Sequence, residues 1–96
     1  MQLFLPGEVV ITHDAKAALL DAETDPDELV RRHVNGDWGC VSSQKAAENE
    51  FGVLFGSHIV SFYRLANGHS VGIITDAMRL TTLLVAPAIV GKEAGA

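Results

Sequence analysis

Three side chains of metal-binding type lie close together in the sequence: His33, Asp37 and Cys40, at spacings of four and three residues. On one continuous helix these spacings would bring the three side chains together, as a metal site requires. Gly36 and Gly39 interrupt any such helix, and no second close pair completes a tetrahedral set of ligands. The sequence therefore predicts no metal ion and no other cofactor.

Nucleophilic catalysis needs a serine or cysteine beside a base, and the sequence offers only weak candidates. His13 and Asp14 are adjacent, but neighbouring side chains rarely face each other, and capping of a helix is the simpler role. Cys40 is the only cysteine and has no clearly electropositive neighbourhood. The glycines match no phosphate-binding motif. We therefore predict that the protein is not an enzyme.

The strongest charge feature is the acidic segment 21–28, which holds five carboxylates in eight residues and no base. Such a segment can imitate nucleic-acid phosphates or dock on a basic protein; alternatively, it is an interhelical loop whose acids favour the dipole of the next helix. Two large aromatic residues are either interface anchors or core residues. The candidate interaction residues are Trp38, Tyr63, Asp21, Glu23, Asp25, Asp27 and Glu28.

Composition limits the class of protein. The 96 residues are 48% hydrophobic and 20% charged, which is typical of one globular domain. We expect residues 1–90 to form that domain and residues 91–96 to be a disordered C-terminal tail. The net charge of −5 argues against direct binding of nucleic acid. Neither a leader peptide nor a membrane-spanning apolar run is evident, so we expect a cytoplasmic protein.

The second half of the chain has the pattern of a β-meander. Three runs rich in β-branched and aromatic residues, His58–Leu65, Ser70–Thr75 and Leu80–Val85, are separated by short breaks. Asn67-Gly68 in the first break is a strong hairpin signal, because both residues tolerate positive φ. The pattern predicts a three-stranded antiparallel meander.

The first half has the pattern of one strand and up to three short helices. We predict that Glu8–Thr12 is a short strand that adds to the sheet, and that Ala15–Ala22, which is dense in helix formers, is a short helix. Asp25 as N-cap followed by proline predicts a helix over Pro26–Val34. Ser42 or Ser43 as N-cap predicts a third helix over Gln44–Phe55.

The third predicted helix is closed by Gly56 and has an apolar face. Ala47, Phe51 and Leu54 share that face at i, i+4 and i+7, which predicts that they pack inward. The same spacing places Lys45, Glu48 and Asn49 outward. Helices that precede an antiparallel sheet predict an α+β fold with the helices packed on one face.

The predicted sheet is apolar on both faces. In His58–Leu65, Ile59 and Tyr63 point to one face while Val60 and Phe62 point to the other. A sheet with one face in water alternates apolar and polar residues more cleanly. Since three short helices cover one face, the sequence predicts that a second copy of the chain or another protein covers the second.

Several segments resemble a family of small plasmid-related proteins of bacterial mobile elements. The resemblance spans about Val9 to Leu84, and its most specific parts are Gly36-Asp37-Trp38-Gly39 and Thr81-Thr82. The chain departs from the family pattern at Gly72, at 76–79 and at 86–90. The further segments that carry the resemblance are 33–35, 47–50, 61–68, 73–76 and 83–84.

These features predict a small acidic, non-catalytic protein-interaction module of a plasmid, phage or other mobile element. The resemblance implies that setting, in which the protein would inhibit or modulate a host protein such as a defence nuclease. One alternative is a small ribosome-dependent nuclease toxin, for which Arg64, His69 and Arg79 are the available bases. The other alternative is a small metal-dependent enzyme built on His33, Asp37 and Cys40.

Overall fold

The computed structural model describes residues 1–86 and confirms the α+β class. In this part of the chain three helices accompany one four-stranded mixed sheet with strand order β1-β4-β3-β2. The elements are β1 (Glu8–Ile11), α1 (His13–Asp21), α2 (Pro26–Val34), α3 (Ser43–Phe55), β2 (Ile59–Arg64), β3 (Ser70–Thr75) and β4 (Thr81–Val85). The predicted tail, residues 91–96, lies outside the described residues.

Strands β2, β3 and β4 form the predicted antiparallel meander. The hairpin between β2 and β3 turns at Asn67-Gly68, where Gly68 has φ +88° and the Asn67 carboxamide accepts a hydrogen bond from the His69 amide. Because both turn residues suit this geometry, the local sequence is sufficient to define the hairpin. This prediction is confirmed.

Strand β1 joins the sheet parallel to β4, so the sheet is mixed. The Glu8 amide donates to the Leu80 carbonyl at 2.9 Å, and the Thr12 amide donates to the Leu84 carbonyl at 3.0 Å. A parallel pair needs a long crossover, which the rest of the chain provides. The predicted N-terminal strand is therefore the fourth strand of the sheet and one of its two edges.

The helices begin where the capping residues predict. Asp25 accepts the Asp27 amide ahead of Pro26, and α2 has the predicted bounds. Helix α1 begins two residues earlier than predicted because Thr12 is its N-cap and accepts the Ala15 amide. Each cap satisfies a backbone donor that the first helical turn leaves free.

One face of the sheet carries the hydrophobic core. Helices α1 and α2 cover this face, and the buried residues include aliphatic side chains from both helices and from β3 and β4. The core cluster consists of Ala15, Ala18, Leu19, Leu29, Tyr63, Leu65, Val71, Ile73 and Leu84.

Helix α3 is rotated relative to the prediction. Phe51 and Leu54, predicted to face inward, are 56% and 77% exposed, while Asn49, predicted to face outward, is 1% exposed. The Asn49 carboxamide donates to the Val60 carbonyl at 2.7 Å and accepts from the Val60 amide at 3.0 Å. Helix α3 therefore lies along the edge of β2, because the unpaired backbone groups of that edge need partners.

We predict that Asn49→Leu lowers the free energy of unfolding by about 3 kcal/mol. The substitution keeps the branched shape and the number of heavy atoms of the side chain but leaves the Val60 amide and carbonyl without a hydrogen-bond partner, and each such group costs about 1–3 kcal/mol. Urea unfolding followed by circular dichroism measures the change. The control is Glu50→Ala, at the next, exposed position of the helix, for which a change within about 0.5 kcal/mol is expected. Equal effects of the two variants would contradict this role of Asn49.

Candidate functional site

A buried chain of hydrogen bonds crosses the sheet at His33. Both ring nitrogens are occupied: Nδ1 lies 2.6 Å from Ser61 Oγ, and Nε2 lies 2.9 Å from Thr75 Oγ1. Thr75 Oγ1 lies 2.7 Å from Thr82 Oγ1, which donates to the Pro6 carbonyl at 2.6 Å. His33, Ser61, Thr75 and Thr82 are each 0% exposed.

The Pro6 carbonyl can only accept a hydrogen bond, and this fixes the donor and the acceptor of every hydrogen bond in the network. Thr82 donates to Pro6, so Thr75 donates to Thr82 and must accept from His33 Nε2–H. Nδ1 of the neutral ring is then the acceptor for the Ser61 hydroxyl. Every polar side-chain atom of this hydrogen-bonded network is paired, so the network stabilises the neutral tautomer of His33 with the proton on Nε2.

Burial and, to a smaller extent, the positive charge of Arg79 lower the pKa of His33 to about 4. The Phe4 ring packs edge-on against the imidazole with 5.2 Å between centroids, and Trp38 lies 6.1 Å away. These rings exclude water from His33. The imidazole is therefore neutral at physiological pH.

This histidine does not form an accessible catalytic pair. The distance between Ser61 Oγ and His33 Nδ1 is that of a nucleophile and its base, but neither residue is exposed to solvent. The group on the other ring nitrogen is a threonine hydroxyl, which cannot stabilise an imidazolium as a carboxylate does. We assign the network to the stability of the fold.

The three residues considered as metal ligands, His33, Asp37 and Cys40, do not act together. The Asp37 carboxylate binds the Arg32 guanidinium at 2.7 Å, and this hydrogen bond lowers the pKa of Asp37. Cys40 is exposed, and both nitrogens of His33 are occupied. No cluster of three or more potential ligands occurs within residues 1–86. The arrangement offers nothing to support the metal-dependent alternative.

The three bases of the toxin alternative do not lie together. Arg64 and His69 are at the β2–β3 turn, whereas Arg79 is in the β3–β4 turn at the opposite end of the sheet. Arg79 donates to the carbonyls of Gly52 and Ser57 at 2.8 and 2.6 Å and so joins the end of α3 to this turn. A strand of six residues spans about 20 Å. The geometry therefore gives this alternative no cluster of bases.

Trp38 and Tyr63 are core residues, which corrects their role as candidate interface anchors. Trp38 is 6% and Tyr63 is 2% exposed. The Tyr63 hydroxyl donates to the Asp37 carbonyl at 2.6 Å, and the Arg32 guanidinium stacks 4.7 Å from the ring centroid. Burial raises the pKa of Tyr63 to about 12. Neither ring is available to a partner in the folded protein.

The acidic segment is exposed at all five of its predicted interaction residues. Part of it has a local role, because Asp25 caps α2 and the Asp21 carboxylate accepts from the Asn67 carboxamide at 2.8 Å. Glu23 has φ +53° in the turn between the two helices. The acids at Glu23, Asp27 and Glu28 are in position to contact a basic partner.

The second face of the sheet is apolar and partly exposed, and we call it the open face. Strand pairing places Val10, Leu83, Ile74 and Val60 in one row that crosses all four strands. A second row pairs Phe62 with Gly72 and Gly72 with Val85, and the Phe62 ring lies over the glycine. Helices α1 and α2 lie on the opposite face. The row contains no charged or polar side chain.

Aromatic side chains of α3 border the open face. A groove of about 610 Å³ runs between α3 and β2, where Phe51 and Val60 lie among polar lining residues that include Lys45, Glu48 and His58. The Phe51 and Phe55 rings pack together at 4.6 Å between centroids, although both are more than half exposed. Alternation along the strand predicts Val60 and Phe62 on the second face. Phe51 was predicted to pack inward with the apolar stripe of α3, and Phe55 was assigned to neither face.

Comparisons with known protein families, curated proteins and solved structures find no match to this chain. The resemblance to plasmid-related proteins therefore stays a prediction. None of the helices within residues 1–86 combines the length and apolarity that crossing a membrane would require.

Proposed function

We propose that this protein is a non-catalytic protein-interaction module that binds a partner protein through its open face and the bordering Phe51 and Phe55. The observation that carries the proposal is the row from Val10 to Val60, which is uncharged across four strands and partly exposed. Contiguous apolar surface of this kind is typical of binding sites, since a monomeric protein in water otherwise minimises it.

The size of the surface supports a role for the phenylalanines. Four strands spaced by about 4.8 Å and five residues long make a face of about 19 by 17 Å. A stable protein interface needs about 800 Å² from each partner, which is more than the open face alone supplies. Phe51 and Phe55 extend the surface along α3, and aromatic side chains commonly carry a large share of the binding energy.

The charge distribution supports an apolar partner surface. The acidic segment connects α1 and α2 in the helical layer, on the far side of the sheet from the open face. A partner that docks on the open face therefore meets little of the net charge of −5. The resemblance implies a mobile element as the setting, and inhibition or modulation of a host protein is the role that we propose for the module there.

The test is quantitative capture from bacterial lysate by the tagged protein, measured by mass spectrometry for the wild type and for Phe51→Glu. We expect a stoichiometric partner to be retained by the wild type and to fall at least tenfold with the variant, because a carboxylate at this apolar border must be desolvated on binding. Leu5→Glu is the matched control, since Leu5 is 69% exposed and lies outside the open face. Equal capture by wild type and Phe51→Glu contradicts the proposal.

A further inference from the structure

The two edge strands of the sheet differ in whether their outward backbone groups have hydrogen-bond partners. On β2, Asn49 pairs with the Val60 backbone, while the Phe62 amide donates to the Trp38 carbonyl and its carbonyl accepts from the Cys40 amide. On β1, Glu8, Val10 and Thr12 face β4, so the amides and carbonyls of Val9 and Ile11 point away from the sheet. Within residues 1–86 these four outward groups have no hydrogen-bond partner.

An apolar groove lies beside this free edge. It has a volume of about 380 Å³ and separates β1 from α1 and the start of α2. Leu20 on its rim is 69% exposed and Val9 is 39% exposed. The groove is lined by Val9, Ile11, Lys16, Leu19, Leu20, Thr24 and Pro26. An unpaired strand edge next to an apolar groove is the arrangement that accepts an added strand.

We propose that a second copy of this chain occupies the edge, with the two β1 strands antiparallel about a two-fold axis at Val10. In this register Val9 of each copy pairs with Ile11 of the other, and each pair exchanges two main-chain hydrogen bonds. All four outward groups of each copy are then satisfied. The product is a dimer with one continuous eight-stranded sheet.

The register follows from the length of the strand. A two-fold axis at Val9 would pair that residue with its own copy and place Ile11 opposite Gly7, which lies outside β1. Only the axis at Val10 matches the two outward-facing residues with each other. The symmetric interface is also closed, so it ends at a dimer and does not continue into a filament.

The edge is complementary to itself, which favours a second copy. The outward amides and carbonyls of Val9 and Ile11 on one copy are the partners that the same four groups of the other copy need, so none is left unpaired.

The dimer joins the two proposed partner sites. A two-fold axis at Val10 and perpendicular to the sheet places both open faces on the same side of the assembly, so the two rows from Val10 to Val60 meet in one apolar surface. If the proposed function holds, this doubled surface is the one that the partner meets.

The test is the mass of the protein in solution, by size exclusion with light scattering over a range of concentrations. The chain has a mass of 10.2 kDa, and we expect twice this value for the wild type. Val9→Pro removes an amide that points away from β4, so it leaves the β1–β4 ladder intact and is expected to give a monomer with an unchanged circular dichroism spectrum. A wild-type monomer, or a dimer that Val9→Pro does not dissociate, overturns the proposal.

Phe51→Glu is expected to remain dimeric, so that loss of the dimer and loss of the partner site are separate results.

Discussion

The free energy of unfolding is expected to fall by about 3 kcal/mol as the pH is lowered from 7 to 4, because of His33. Its pKa is about 4 in the folded protein against 6.5 in the unfolded chain. Between these values the unfolded chain binds a proton that the folded protein does not, so acid favours unfolding. Each pKa unit corresponds to 1.36 kcal/mol. Below pH 4 both states are protonated and this contribution changes no further.

Fluorescence of Trp38, the only tryptophan, during urea unfolding at several pH values measures this slope. We expect His33→Gln to be less stable at pH 7 and to lose most of the slope between pH 6.5 and 4. His58→Gln, at an exposed position, is the control and should retain the slope. Asp37 changes the free energy of unfolding only at lower pH. Its pKa is lower in the folded protein than the ordinary value of 3.8, so its stabilising contribution is lost as the pH falls below 3.8. A flat wild-type profile from pH 7 to 4 contradicts the account of His33.

Gly39→Ala is expected to destabilise the protein by more than about 4 kcal/mol, a large fraction of the stability of a domain this size. Gly39 has φ +74°, and a Cβ at this position would lie 2.0 Å from the Phe62 carbonyl oxygen and 2.7 Å from Tyr63 Cδ1. The segment would have to move away from β2 and break the bonds of Trp38 and Cys40 to the Phe62 backbone. Thermal unfolding by circular dichroism measures the loss.

Gly68→Ala separates backbone strain from this collision. Gly68 has φ +88°, but nothing lies within 4 Å of a Cβ built there. We therefore expect a loss of only about 1 kcal/mol, the cost of a left-handed conformation for alanine. Similar losses for the two variants would show that the contact with β2 is unimportant.

Local signals in the sequence were sufficient for the secondary structure. The Asn67-Gly68 turn and the caps at Asp25 and Ser42 act within four residues of chain, so their effects can be predicted without knowledge of the fold. The bounds of α2 and β3 were predicted without error.

Side-chain contacts between residues that are distant in the sequence could not be predicted from local patterns. The inward position of Asn49 depends on the free edge of β2, eleven residues further along, and the role of His33 depends on Ser61 and Thr75. Gly52 carried a signal that could have located the inner side of α3, since glycine within a helix often marks a close approach. A Cβ there would lie 2.8 Å from Ile59 Cδ1.

The second apolar face was predicted from alternation along β2, but the aromatic residues of α3 beside it were not predicted. Phe51 has the spacing of a core residue, and only the rotation of α3 places it beside Val60. The open face and this border together define the interaction surface.

The most direct test of the interaction surface is hydroxyl-radical footprinting of the protein alone and in complex with its captured partner. We predict that oxidation of Phe51, Phe55 and Phe62 falls several-fold in the complex, while oxidation of Leu5 is unchanged. Unchanged oxidation of these phenylalanines, with protection confined to the helical layer around the acidic segment, would contradict the assignment of the open face as the binding site.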